Sequence, residues 1–100
     1  MFEKACKKAD VKQGAAKCLK IKGKEIALFN LNGKFFALDN ACTHQNAPLS
    51  EGTVDGDKIT CPLHASQFEI KTGKVSGKPA TIDAVSYKVK VEGEDVLIDI

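Results

Sequence analysis

Four side chains in this 100-residue sequence are suited to hold a metal between them: Cys42, His44, Cys61 and His64. They fall into two boxes, Cys42-Thr43-His44 and Cys61-Pro62-Leu63-His64, with sixteen residues between them. Thiolate sulfur and imidazole nitrogen are the donors of zinc and iron–sulfur centres, and two donors one or two residues apart can converge on one site from a single turn. Each box can therefore act as one arm of a clamp. A single Cys-x-His pair says little, because buried cysteines and hydrogen-bonded histidines are common in cores; two such pairs in a short chain point to a metal centre. A structural Cys2His2 zinc site draws on the same donors, but its usual spacings place cysteine with cysteine and histidine with histidine.

Composition removes several other classes of function. The formal charge of +2 arises from 15 basic residues, all lysine, against 13 carboxylates, and the lysines are scattered along the chain. Without arginine's forked donors or a recognised binding motif, nucleic-acid recognition is not expected. No stretch approaches the ~18 apolar residues of a spanning helix, and the start lacks an apolar secretory segment, so a cytoplasmic protein without membrane attachment is expected. In that reducing setting Cys6 and Cys18, which have no histidine beside them, read as free thiols rather than a disulfide. Once the two histidines are committed to metal, none remains for acid–base work. There is no phosphate-binding glycine loop, and Glu51, Asp55, Asp57 and Glu69 form no evident acid–base pair. The chain does not read as an enzyme.

The elements that must position the clamp read as all-β. Glycine and asparagine punctuate the chain at short intervals, at Lys22-Gly23, Asn32-Gly33, Asp55-Gly56-Asp57, Thr72-Gly73, Ser76-Gly77 and Glu92-Gly93. The runs between them have strand character, as in a sandwich or barrel. Asn32-Gly33 predicts a type I′ hairpin joining 25–31 to 34–39. A second hairpin is predicted to join 86–92 to 95–100, where Tyr87, Val89 and Val91, then Val96, Ile98 and Ile100, alternate with polar or outward positions. Residues 7–13 can make one short helical turn. Phe29, Phe35, Phe36 and Tyr87 read as core aromatics. The length is that of a single domain, 1–100, and within it about 41–66 reads as an insertion of turn residues, prolines and ligands, held by something other than a hydrophobic core.

The two boxes and their neighbours resemble the Rieske [2Fe–2S] ferredoxin family. The segments that carry the likeness are Cys42-Thr43-His44-Gln45-Asn46-Ala47-Pro48-Leu49, Cys61-Pro62-Leu63-His64-Ala65-Ser66-Gln67-Phe68, and a third, proline-bearing stretch, Gly77-Lys78-Pro79-Ala80. The resemblance implies a Rieske-type antiparallel β-sandwich or barrel with an inserted two-loop cluster-binding subdomain. It also implies one [2Fe–2S] cluster per chain, with Cys42 and Cys61 on one iron and His44 and His64 on the other. Function follows from the same likeness: a soluble, monomeric electron carrier between a reductase as donor and an oxygenase or other reductase as acceptor.

Replacing two thiolates by neutral imidazoles removes two negative charges beside the iron that accepts the electron. At ~4 Å and an effective dielectric near 20, each charge is worth about 4 kcal/mol, or roughly 0.2 V. That matches the general gap between plant-type clusters near about −400 mV and Rieske centres at about −150 to +300 mV. Two departures from the high-potential relatives point to the lower half of this range. Ala47 and Leu63 stand where those relatives carry a disulfide, and Phe68 stands where they carry a tyrosine hydroxyl; Ser66 keeps the serine. Glycines common in relatives are Asn46 and Ala65 here. The segments 42–50 and 61–68 contain no charged residue, so a neutral tip bearing Pro48, Leu49, Pro62 and Leu63 is expected to meet the redox partner.

Overall fold

Positive φ values fix the hairpins on which the fold is built. Lys22 and Gly23 (φ 51° and 80°) turn the chain between two strands, and Asn32 and Gly33 (φ 55° and 84°) do so again, as the type I′ geometry requires. The computed structural model describes residues 1–41, 48–62, 66–77 and 82–100. In chain order the strands are β1 (Phe2–Lys7), β2 (Ala16–Ile21), β3 (Lys24–Leu31), β4 (Lys34–Asp39), β5 (Thr53–Asp55), β6 (Lys58–Thr60), β7 (Gln67–Glu69), β8 (Val75–Gly77), β9 (Ser86–Tyr87), β10 (Val89–Glu92) and β11 (Asp95–Asp99). Two 3-10 turns, Lys8–Asp10 and Leu49–Glu51, are the helical elements among the described residues.

The strands form three antiparallel sheets, ordered β1-β11-β10, β2-β3-β4-β9 and β5-β6-β7-β8. The second sheet is the middle layer, because its strands bury both faces. Along β3, Ile26 and Leu28 pack into one core with Cys6, Val96 and Ile98 of the first sheet. Ala27 and Phe29, pointing the other way, pack into a second core with Leu49, Ile59, Phe68 and Ile70. β4 repeats the pattern with Phe35 and Ala37 on one side and Leu38 on the other. A period-two strand sandwiched between two layers thus reads as an unbroken apolar run.

The all-β antiparallel architecture agrees with the sequence. Three details differ. The predicted strand over 86–92 is two strands: Ser86 and Tyr87 pair with Leu38 and Ala37 in the middle sheet, whereas Val89–Glu92 pairs with β11 in the first. The chain changes sheets at Lys88, and Val91 ends 41% exposed despite its place in the alternation. Gly77 is not a turn residue but the end of β8, paired with Gln67. Finally, Leu49 and Ile59 are fully buried, so hydrophobic packing does hold the base of the segment expected to lack it. Phe29 and Phe35 are core residues as predicted, with Phe36 and Tyr87 packed at the margins.

Candidate metal centre

The third sheet explains how two distant boxes reach one place. Its register aligns Thr53 with Thr60, Thr60 with Gln67, and Gln67 with Gly77, so these four residues form a row across one end of the sheet. Glu51 and Gly52 lead into that row from the first box; Cys61 leaves it and Ser66 returns to it around the second; the third proline-bearing stretch departs from Gly77. All three segments therefore spring from a single sheet end, while the Asp55-Gly56-Asp57 turn lies at the other.

The stems are pinned. Ala41 and Pro48 form an isolated antiparallel bridge that closes the first loop at its base. The Cys61 N–H donates to the Ser66 carbonyl at 2.7 Å, closing the second. The two stems also touch each other: a Cβ on Gly52 would collide with the Thr60 carbonyl, so only glycine lets the first loop's exit lie against the second loop's entry. Gln67 Nε2 donates to Thr60 Oγ1 at 3.2 Å across the same row.

Of the four ligands expected from the sequence, Cys61 is described: it is 2% exposed and belongs to the core that includes Leu49, Ile59 and Phe68. Cys42, His44 and His64 lie outside the described residues, as do Thr43, Gln45, Asn46, Ala47, Leu63, Ala65, Lys78, Pro79 and Ala80. Ser66 and Phe68, which follow the second box in the chain, are both fully buried. Among the expected tip residues, Pro62 is exposed, but Leu49 is not: the 3-10 turn Leu49–Glu51 directs it into the core at 0% exposure. Leu49 packs into the core and cannot meet a partner, which corrects the sequence-based expectation. Asn40, which sequence reasoning passed over, is 3% exposed at the entry of the first loop and accepts from the Leu49 and Ser50 N–H groups at its exit. In the sequence it is simply a polar residue after a strand.

Cys6 and Cys18 are free thiols in the structure; Cys6 is buried in β1 and Cys18 exposed on β2. Burial, and then the nearby Asp10 carboxylate, push the Cys6 thiol above its ordinary value, with Lys17 opposing weakly.

The described residues fit a soft, two-loop metal group. A cysteine enclosed by apolar side chains stands at the foot of one loop, the exit stem of the companion loop lies against it, and the sequence leads one to expect a donor set of two sulfurs and two imidazoles. Such a fold and donor set define a class of β-proteins that carry an iron–sulfur group at one sheet end. The chain belongs to the Rieske [2Fe-2S] domain family, which it matches over residues 1–96; the family implies one such cluster per chain. It is 47% identical over 98 residues to the 3-phenylpropionate/cinnamic acid dioxygenase ferredoxin subunit of Escherichia coli, covering 96% of this chain and 91% of that protein. Its fold is similar to the Sphingomonas yanoikuyae ferredoxin, with a TM-score of 0.94, 36% identity and coverage of 100% and 99% of the two chains. A chain in the complex of reduced oxygenase and oxidized ferredoxin in carbazole 1,9a-dioxygenase matches with a TM-score of 0.91 at 33% identity, over 97% of this chain and 91% of that one.

Proposed function

We propose that this protein is a one-electron carrier that holds a single Rieske [2Fe–2S] cluster on Cys42, His44, Cys61 and His64 and passes electrons from a reductase to a terminal oxygenase or comparable redox enzyme. The observation that carries the reading is the common sheet end from which the stems of both Cys/His boxes rise, in a chain of the Rieske family. The ferredoxin subunits it resembles serve dioxygenases, and one similar chain was solved against its oxygenase, which supports an oxygenase as acceptor.

When bound, the cluster supplies a site that gains and loses one electron at a potential set by its ligands and their hydrogen bonds. The chain's own residues do the rest. Cys61, enclosed and fixed through its N–H, presents a thiolate without the freedom to swing away. Leu49, Ile59 and Phe68 exclude water from below, which lowers the dielectric around the site and stiffens the floor against reorganisation. Pro62 and the uncharged segments around it leave a neutral approach for the partner, so the partner is recognised by shape near the site and steered by charges elsewhere. Residues 1–100 act as one domain whose metal-holding insertion spans about 41–66, a monomer that is a carrier and not itself a catalyst. Among the described residues no helix is long and apolar enough to cross a membrane. A cytoplasmic setting suits free thiols at Cys6 and Cys18.

The purified protein should be red-brown and, when reduced, give a rhombic EPR signal with an average g below the free-electron value. Substituting any one of the four ligands, as in Cys42→Ser, His44→Ala, Cys61→Ser or His64→Ala, should abolish that signal. A colourless protein with one tightly held zinc would refute the carrier in favour of a structural or regulatory binding module.

A further inference from the structure

We infer that Asn40 is a positioning residue for the first ligand loop, clasping its entry stem to its exit stem so that cluster binding through Cys42 and His44 depends on it; the inference rests on the cluster reading above. Asn40 follows β4 directly and precedes Cys42 by two residues. Its main chain and side chain are all engaged. The Asn40 N–H donates to the Glu25 carbonyl at 3.0 Å, and its carbonyl accepts from the Leu49 N–H at 2.6 Å. Its side-chain Oδ1 accepts from the Ser50 N–H at 2.8 Å, and its Nδ2 donates to Cys18 Sγ at 3.4 Å.

These four bonds reach three separate places: β3 through Glu25, β2 through Cys18, and the 3-10 turn beyond the loop through Leu49 and Ser50. One residue thereby ties the entry of the loop to its exit and ties both to the middle sheet. The neighbouring Ala41–Pro48 bridge continues the clasp by one further rung. At 3% exposure, water cannot readily replace a bond that is lost. Removing the side chain strands the Ser50 N–H and leaves the exit stem held to the entry stem only through the Asn40 carbonyl and the Ala41–Pro48 bridge.

The fold supplies its own control. Asn30, 8% exposed, likewise uses both side-chain atoms, Nδ2 donating to the Val11 carbonyl at 2.8 Å, where Asn40 meets a sulfur, and Oδ1 accepting from the Gly33 N–H at 3.0 Å. It does so near the Asn32-Gly33 turn, at the opposite end of the middle sheet from both loop stems. A merely structural role would make Asn30→Ala and Asn40→Ala equivalent. A positioning role separates them.

The test compares the parent holoprotein with Asn40→Ala, Asn40→Asp and Asn30→Ala, reading thermal stability, reduced EPR linewidth, midpoint potential and the rate of cluster bleaching. Asn40→Ala is expected to bleach about tenfold faster than the parent, the scale of a buried bond lost, with broadened EPR lines and a displaced potential. Asn40→Asp keeps the acceptor for Ser50 and should restore bleaching to within about twofold of the parent. Its linewidth should return as well, although the added negative charge lowers the potential. Asn30→Ala should lose thermal stability yet keep the parent's spectrum and potential. Parental spectrum and potential in Asn40→Ala, or equal disturbance by Asn30→Ala, would overturn the positioning role while leaving the cluster reading intact. A parent protein without a [2Fe–2S] spectrum would overturn both.

Discussion

At the residue scale, the chemistry of this chain is decided by what surrounds each sulfur. Cys61 is enclosed by Leu49, Ile59 and Phe68, Cys6 is buried in the opposite core, and Cys18 is exposed on β2. Because the thiolate is the reactive form and burial holds the Cys6 thiol above its ordinary value, Cys18 should be alkylated first at neutral pH, with Cys6 far slower. Mass-spectrometric mapping after brief iodoacetamide treatment checks this, and comparable labelling of Cys6 would contradict its packing. Phe68 offers a second prediction. It is fully buried in the same core as Cys61, at the position where the resemblance to the high-potential relatives implies a tyrosine hydroxyl. Phe68→Tyr should raise the midpoint potential at some cost in stability, as read by film voltammetry. An unchanged or lowered potential would break the assignment to the lower half of the Rieske range. The family was legible in the Cys/His boxes because metal ligation demands particular atoms at particular spacings. Asn40 was not, because its partners lie in other elements, at Cys18, Glu25, Leu49 and Ser50. Leu49 was misread because a leucine among prolines and polar residues looks like a surface tip until the 3-10 turn rotates it inward.

Among the elements, turns and close approaches carry different weights. Gly33 has a φ of 84° in open space, so Gly33→Ala strains the hairpin without a clash and should cost about 1 kcal/mol. Gly52 has ordinary backbone angles but lies against the Thr60 carbonyl. Gly52→Ala must therefore part the two loop stems, and it should reduce cluster retention well beyond what Gly33→Ala does at equal distance below the melting temperature. Equal retention in the two variants would show that the contact between stems does not matter to metal binding. The turns themselves were readable, since Asn32-Gly33 tolerates positive φ at both positions and few dipeptides do. The break at Lys88 was hidden: Tyr87, Val89 and Val91 keep an unbroken period of two, and only the competing pairing of Ser86 and Tyr87 with β4 divides the strand between sheets.

For the whole molecule, alkaline pH should weaken the fold from the side away from the third sheet. Burial raises the Cys6 thiol and, together with the Asp39 carboxylate, the Tyr87 phenol, and both groups pack in the core between the first and middle sheets. A raised value in the folded state means the unfolded chain loses its proton first. The contribution to stability is then complete below the ordinary values of 9.0 for the thiol and 10.0 for the phenol and is lost as pH climbs through the raised ones. Urea unfolding followed by far-ultraviolet circular dichroism at neutral pH, just above 9 and near 11 should show a declining midpoint over that interval. A flat profile would mean that neither group is held protonated. The pairing of β1 with β11, Phe2 opposite Asp99, has a different consequence. Both ends of the chain emerge side by side from the first sheet, with the middle sheet between them and the third. The unit can therefore be spliced into a surface loop of a larger protein, or joined to a redox partner by a flexible tether, without obstructing the sheet end from which the loop stems rise, so that their encounter becomes an intramolecular event.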